Sequence, residues 1–273
     1  LAVAALGFLV LYKATGVINF AHGDLITLGA YVALWAIASL GLPTIPGYLL
    51  ALVLMFGVGV VIERLAYAPL RRRQPLAVVI ATLAAAIALR GLVGIWQGST
   101  PKSLPSPVGN RTVHILGAPV AQQRLLIVVI AAAAIIAVLA AFQRTAFGRQ
   151  LRALAADPDT ARLQGVRTRM VAIVAFGLSA TLAALAGILV APLSAVDLTF
   201  GFDLMISAFA AAVLGGFGSL GGVVAGSLVI GLVQQLLGGY VFTQYASTLP
   251  FILMLVVIAF RPEGLIVMKR SRL

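Results

Sequence analysis

The feature that most constrains this chain is a series of nine apolar runs, which occupy most of its 273 residues. They lie at about 1–12, 24–40, 46–67, 76–97, 124–142, 170–191, 204–214, 222–238 and 240–260. A helix needs ~20 apolar residues to cross a ~30 Å hydrocarbon layer. Only 10% of the residues are charged, against ~25% in ordinary soluble domains. The sequence therefore predicts an all-α integral membrane protein with about eight transmembrane helices, in a single domain over 1–273. Because the chain opens at Leu1 inside an apolar run, we expect the start of the first helix to be truncated.

The basic residues are grouped in alternate loops. Lys13 and the loops 64–73, 144–169 and 261–272 hold 15 of the 19 Lys and Arg residues, and even numbers of apolar runs separate these loops. Lys and Arg are retained in cytoplasmic loops. We therefore expect the 144–169 loop and the C-terminus on the cytoplasmic side, and the Pro- and Gly-rich loop 97–123 outside. The formal charge of +12 then reflects membrane orientation, and no nucleic-acid partner is predicted.

The sequence lacks the residues that most catalytic chemistry requires. It has no Cys and two His, so no metal site is predicted. The glycine-rich stretch 215–222 contains no Lys and is therefore not an ATP-binding phosphate loop. We predict no catalytic residues; a serine hydrolase that pairs Ser219 with His22 is a formal alternative.

A polar segment at 16–25 interrupts the first two apolar runs. Asn19, His22 and Gly23 would share one face of a helix, and Asp24 would cap the helix that follows. Together with Phe20, these residues are candidates for a translocation pathway. The alternative is a short interfacial turn whose polar groups meet lipid headgroups.

A second irregular segment lies near the C-terminal end. The run from Asp203 to Leu214 is too short to span the bilayer and is followed by a glycine-rich break, which predicts a discontinuous helix that lines a pathway. The alternative is a close-packed turn in the headgroup layer. The segments that contain Asp24 and Asp203 are weakly similar and of opposite predicted orientation, as in inverted-repeat-like halves. The remaining pathway candidates are Gly215, Gly216, Gly218 and Ser219.

The loop 144–169 has the pattern of two short amphipathic helices. Pro158 allows a new helix after Asp157, and Gly165 suits a C-terminal cap. Such helices can insert into a groove of a soluble partner; the alternative is a basic loop that only sets orientation. The candidate docking residues are Gly148, Arg149, Leu154, Ala155, Asp157, Ala161 and Gly165.

Three charged residues lie within or beside the apolar runs. Arg90 could extend outward to the interface or act at an outer gate. Glu63 and Arg64 are expected to form an interfacial anchor.

Four motifs, in order, resemble the permease subunits of Liv-type branched-chain amino acid ABC importers. They are 16–24 (GVINFAHGD), 147–165, 213–222 (VLGGFGSLGG) and 261–265 (RPEGL). Asp24 stands where Glu is common in that family.

The resemblance implies a permease of the bacterial inner membrane that binds no cofactor itself. Its partners would be a second permease subunit, identical or paralogous, two ATP-binding cassette subunits that hold ATP and Mg, and an extracytoplasmic solute-binding protein. Similar permeases carry urea or short amides, which leaves the solute open. A self-sufficient secondary transporter or channel, with His22, Asp24 and Asp203 as proton or cation carriers, is the alternative from another class.

Overall fold

A computed structural model of the chain describes residues 1–71, 73–109, 111–115, 118–240 and 249–260. These residues form helices and one antiparallel hairpin, in which Val113 pairs with Val120. The helices are α1 (Ala2–Thr15), α2 (His22–Ala38), α3 (Thr44–Ile62), α4 (Pro75–Gln97), α5 (Gln122–Arg144), α6 (Ala146–Ala156), α7 (Pro158–Leu163), α8 (Thr168–Val190), α9 (Phe200–Gly215), α10 (Leu220–Tyr240) and α11 (Leu249–Phe260). The strands are β1 (Thr112–Ile115) and β2 (Ala118–Ala121). A π-helical turn, Glu63–Tyr67, extends α3, and a 3₁₀ turn, Ala191–Leu193, follows α8.

Five helices of the described residues are long and apolar enough to cross a membrane. They are α3 with its π turn, α4, α5, α8 with its 3₁₀ turn, and α10 over Leu220–Leu237. Helices α1, α2 and α9 are apolar but shorter. The multi-pass helical class is confirmed, whereas the count of about eight crossings stays a prediction.

Helix α8 lies at the centre of the bundle and packs against α1, α2 and α3. Small residues allow these helices to approach closely: a Cβ atom at Gly29 would overlap Ala184, and one at Gly187 would overlap the carbonyl oxygen of Ile26. Such small-residue contacts are a main source of helix association in lipid, where burial of apolar surface between helices contributes little. The outer helices instead leave large apolar side chains exposed, such as Val128 and Val129 of α5.

Helix α2 begins inside the bundle. Its first residue, His22, contacts the carbonyl oxygen of Ala4, which lies eleven residues before the end of α1 at Thr15, or ~16 Å along the helix axis. Residues 16–21 therefore lead the chain back along α1 without forming a helix. Irregular backbone in a membrane protein is tolerated only where protein or a water-filled cavity surrounds it.

Helix α9 also begins inside the bundle and runs antiparallel to α2. Tyr31 donates a hydrogen bond to the carbonyl oxygen of Val196, and the backbone N–H of Gly201 donates one to Thr27 Oγ1. A Cβ atom at Gly23 would contact Met205. As the residue number on α2 falls, that of its neighbour on α9 rises, so the two segments that contain Asp24 and Asp203 have the opposite orientation predicted from the sequence.

The glycine-rich break lies elsewhere than the sequence suggested. Helix α9 starts at Phe200 rather than Asp203 and has 16 residues instead of 12. The turn after it meets the C-terminal end of α1, because Lys13 Nζ donates a hydrogen bond to the carbonyl oxygen of Gly218 at 2.8 Å. The irregular backbone next to the buried start of α2 is therefore that of 16–21, the partly exposed segment 194–199 leads into α9, and the glycines join α9 to α10 at one end.

The two ends of the bundle differ in chemistry. We call the basic end the one at which Lys13, Arg71, Arg162 and the glycine turn meet around a shared cavity. The loop 98–121 lies at the opposite end, where Lys102 pairs with Val196 through their backbones. Tyr48, near the start of α3, donates a hydrogen bond to the carbonyl oxygen of Pro105 in this loop.

Candidate functional site

The polar segment before α2 is buried and forms a turn. The Asn19 side chain accepts a hydrogen bond from the N–H of Ala21, and the N–H of Phe20 donates to Thr82 Oγ1 of α4. Asn19 lies outside the helix, so the helical face predicted for Asn19, His22 and Gly23 is wrong. Asn19 is 4% exposed, and its Nδ2 has no hydrogen-bond partner in the described structure. A buried amide donor is therefore available beside the start of α2.

His22 is fully buried and its two ring nitrogens are both in contact with polar groups. Nε2 lies 3.0 Å from the carbonyl oxygen of Ala4, which can only accept, so Nε2 is the protonated nitrogen. Nδ1 lies 3.4 Å from Ser179 Oγ on α8, and Phe8 packs edge-on against the ring. Ser219 instead accepts a hydrogen bond from the N–H of Gly222 in the glycine turn. The pairing of Ser219 with His22 required for a serine hydrolase is therefore absent from these described contacts.

Asp24 lies in the first turn of α2 but does not cap it. Its carboxylate accepts hydrogen bonds from Arg90 of α4, with Nε at 2.9 Å and Nη2 at 3.5 Å. Asp24 is 6% exposed, and the Arg90 side chain is 40% exposed. The prediction that Asp24 caps the helix is wrong, as is the prediction that Arg90 extends to the interface. The two charges form a link between α2 and α4.

Asp203 lies in the first turn of α9 and is exposed. His22 contacts Ala4 and Ser179 and Asp24 pairs with Arg90, and none of these described hydrogen bonds involves Asp203. This arrangement argues against a self-sufficient secondary transporter that would use them in series.

The glycine turn between α9 and α10 is closely packed. Gly215 and Gly222 are in contact through their backbones, and a Cβ atom at either position would overlap the carbonyl oxygen of the other. Gly216 has a φ of 81°, a conformation that favours glycine. Phe217 packs against the rings of Phe8 and Tyr12. The turn is thus a rigid joint attached to α1.

Helix α6 is joined rigidly to the end of α5. Thr145 Oγ1 accepts a hydrogen bond from the N–H of Gly148 at the start of α6, which is an N-cap. A Cβ atom at Gly148 would overlap the carbonyl oxygen of Phe142. Arg152 donates to the same carbonyl group and lies over the ring of Phe142. Arg149 is exposed, so α6 presents an Arg residue to the exterior while its other face is fixed.

The buried face of α6 and α7 anchors both helices to the bundle. Leu151, Leu154 and Ala161 are at most 5% exposed. Ala155 is exposed and lines cavities beside α6. The two amphipathic helices predicted for the 144–169 loop are therefore confirmed.

Asp157 caps α7 as the Pro158 signal suggested. Its Oδ1 accepts from the N–H groups of Asp159 and Thr160. The hydroxyl and backbone N–H of Thr160 hold the pKa of Asp157 below its usual value. Gly165 follows α7 with a φ of 83°, as expected for a C-terminal cap.

Glu63 is not the interfacial anchor that we predicted. It is fully buried, Arg64 is 47% exposed, and their shortest separation is 3.7 Å. Glu63 opens the π-helical turn, a feature that often marks functional segments. Both carboxylate oxygens lack a hydrogen-bond partner in the described structure.

The 261–265 motif and the C-terminus lie outside the described residues.

Several partners could not be found from the sequence. The members of each pair are far apart in sequence: Ser179 and His22 by 157 positions, Arg90 and Asp24 by 66, and Lys13 and Gly218 by 205. Among these six residues, only Arg90 carried a signal for a partner in the sequence, since a charged residue within an apolar run indicates a functional or paired group.

The described architecture defines a class: a polytopic helical membrane protein in which two helices begin within the bundle. The family model described as branched-chain amino acid transport system / permease component matches residues 1–258, and the chain belongs to this family.

Curated relatives agree with this assignment. The chain is 32% identical to the high-affinity branched-chain amino acid transport system permease protein LivH of Escherichia coli K12, over 97% of the chain and 90% of the relative. It is 33% identical to BraD of Pseudomonas aeruginosa, a permease protein of the same description, over 97% and 91%. The autoinducer 2 import system permease protein LsrC of Salmonella paratyphi B is 35% identical over 63% of the chain and 47% of the relative. No solved structure matches the chain significantly.

Proposed function

We propose that this chain is the membrane permease subunit of an ATP-driven importer for branched-chain amino acids in the bacterial inner membrane. The observation that carries the proposal is the family match over residues 1–258. Relatives described as permeases for these amino acids align with almost the whole chain. Urea or a short amide as the solute is the alternative within the same family, and nothing in the described site favours it.

The α6–α7 pair is the proposed contact with two ATP-binding cassette subunits, which would hold ATP and Mg. Its support is a buried face of Leu151 and Leu154 combined with an exposed Arg149, as expected for a helix fixed to one body and recognised by another. The rigid joint at Gly148 would convey movement of the ATPases to α5. Conversely, the loop 98–121 at the opposite end is the proposed contact with a solute-binding protein. A second permease subunit, identical or paralogous, would complete the complex.

The translocation region is proposed to lie at the interior starts of α2 and α9. Three properties support this: the irregular backbone before both helices, the unpartnered amide donor of Asn19, and the carboxylate of Asp24, held by Arg90. Phe20 and Gly23 belong to the same segment, and Asp203 lies in the first turn of α9. Gly215, Gly216, Gly218 and Ser219 would act as a joint that keeps α9 and α10 together during the change of access. His22 would act structurally, since Ala4 and Ser179 occupy its ring nitrogens.

Reconstitution of the complete transporter in liposomes tests the proposal. Uptake of radiolabelled leucine should require ATP on the side of α6–α7 and the solute-binding protein on the other side, and unlabelled urea should not compete. Uptake without ATP, driven by an ion gradient, would establish the secondary transporter instead.

The pathway assignment has its own test. Asn19→Ala should reduce leucine uptake at normal expression and ATPase association, because it removes the unpartnered Nδ2 donor together with the Oδ1 that accepts from the N–H of Ala21. Gln235→Ala, at an exposed position of α10, is the matched amide control. Wild-type uptake by Asn19→Ala would remove Asn19 from the pathway.

A further inference from the structure

A cavity of about 500 Å³ lies at the basic end, between the membrane bundle and the α6–α7 layer. Its walls come from the end of α1, the turn after the π helix, α6, α7, the start of α8 and the glycine turn. Small-molecule sites in proteins are typically concavities of ~300–1,000 Å³. The volume is therefore sufficient for a small ligand. The permease function proposed above assigns no role to this cavity.

The charge of the cavity has one sign. Lys13, Arg71 and Arg162 line it, each from a different segment of the chain, and the described residues of its lining include no Asp or Glu. The nearby acidic groups are Glu63, which lies beside Arg64, Asp157, whose carboxylate accepts from the N–H groups at the start of α7, and Asp159, which pairs with Arg162 at 3.1 Å. This second pair is exposed on both sides, and such surface pairs contribute little. The cations therefore retain donors for a ligand, since Lys has three and Arg has five.

Neutral donors reinforce the preference for an anion. The hydroxyl-bearing residues Tyr12, Tyr67 and Thr168 line the same cavity. Thr168 is also the first residue of α8, a helix of 23 residues. The N–H of Thr168 itself donates to the carbonyl oxygen of Val166, so α8 contributes the partial positive charge of its N-terminus, which favours phosphate and similar anions.

A zwitterionic amino acid fits this cavity poorly. Its ammonium group would be repelled by the three cations, and the described part of the lining offers no carboxylate to receive it. A phosphate group has several acceptor oxygens and no positive charge, and Arg binds it through paired hydrogen bonds. The chemistry therefore selects a phosphate group over the transported solute.

We propose that the cavity at the basic end is a binding site for a phosphate group, held by Lys13, Arg71 and Arg162. The group is carried by an anionic phospholipid headgroup or by a soluble phosphate compound. Because Lys13 is bonded to the glycine turn and Arg162 belongs to α7, the bound phosphate bridges the α6–α7 layer and the bundle. It thereby restrains the element proposed to contact the ATPases.

Thermal unfolding of the purified transporter complex, followed by Trp fluorescence, tests this site. The probes are inorganic phosphate against chloride at constant ionic strength, and phosphatidylglycerol against phosphatidylcholine in mixed micelles. The test variant is Arg71→Gln/Arg162→Gln, with Arg162→Gln alone as the milder change. Arg144→Gln is the matched control, since Arg144 is exposed on α5 and does not line the cavity.

We expect phosphate or phosphatidylglycerol to raise the unfolding midpoint of the wild type and of Arg144→Gln. For the same rise of the midpoint, the double variant should need a probe concentration at least about tenfold higher than the wild type, because two charge-assisted contacts are lost. A response to phosphatidylglycerol alone assigns the site to lipid, and a response to inorganic phosphate supports a soluble compound. No response in the wild type, an equal response to phosphatidylcholine, or an undiminished response in the double variant overturns the proposal.

Discussion

The Asp24–Arg90 pair provides the sharpest test of how the start of α2 is held. Replacing Arg90 with Met leaves a carboxylate that is 6% exposed without its cation. Breaking a buried pair from one side destabilises a protein by ~3–5 kcal/mol. Because Arg90 is 40% exposed, we expect the lower end of that range, about 3 kcal/mol. At ~2–4 °C per kcal/mol, the unfolding midpoint should fall by roughly 6–12 °C.

The two partners should respond unequally. Asp24→Asn leaves behind an Arg that is partly exposed and can turn towards lipid headgroups, so this change should be milder than Arg90→Met. The combined Asp24→Asn/Arg90→Met variant removes both charges and should be more stable than Arg90→Met alone. A double-mutant cycle should give a coupling of about 1–3 kcal/mol.

The measurement is the temperature at which the detergent-purified protein loses its monodisperse size-exclusion peak. Arg124→Met, the same change at an exposed position of α5, serves as the control and should leave the midpoint unchanged. Additive effects in the cycle, or a larger loss for Asp24→Asn than for Arg90→Met, would refute the reasoning.

Three further predictions concern backbone contacts and the α7 cap. Gly201→Val should abolish folding into a monodisperse protein, because its Cβ would overlap the carbonyl oxygen of Gly23. Gly91→Val is the control and should be tolerated, because Gly91 has open space around it. Equal yields of monodisperse protein from the two variants would contradict the contact. Gly148→Val should detach α6 from α5 and lower co-purification of the ATP-binding subunits while membrane insertion persists, as measured by pull-down. Deprotonation stabilises the Asp157 cap because its folded-state pKa is lowered. Amide-exchange protection of α7 should therefore persist at neutral pH and be lost only as the pH falls through that lowered pKa, and Asp157→Ala should lose it at every pH.

The parts of the molecule that depend on local sequence were predicted well. The α6–α7 pair follows from an apolar spacing, from Pro158 after a capping Asp157, and from Gly165 at a positive φ. Each of these signals acts within a few residues of its effect. The apolar runs likewise identified the membrane class, because the length of a span is a property of the run itself.

The interior starts of α2 and α9 depend on contacts between distant segments. Nothing near His22 indicates that its ring meets Ala4 and Ser179. The glycine break looked like the interior interruption because its signal is strong and local, yet Lys13 holds it at the basic end. Residues 17 and 20 are held by the hydroxyl groups of Thr15 of α1 and Thr82 of α4, and the contact with Thr82, 62 positions away, is not indicated by the segment itself.

The contact between Gly23 and Gly201 joins the early and late portions of the chain through main-chain atoms. A side chain can accommodate a small displacement of its neighbour by changing rotamer. Backbone atoms in direct contact cannot do so. A displacement of α9 is therefore passed to α2 almost undiminished, and the Gly29–Ala184 contact passes it on to α8, which continues from α7. If the α6–α7 layer moves as proposed, these contacts would carry the movement through α8 to the starts of α2 and α9.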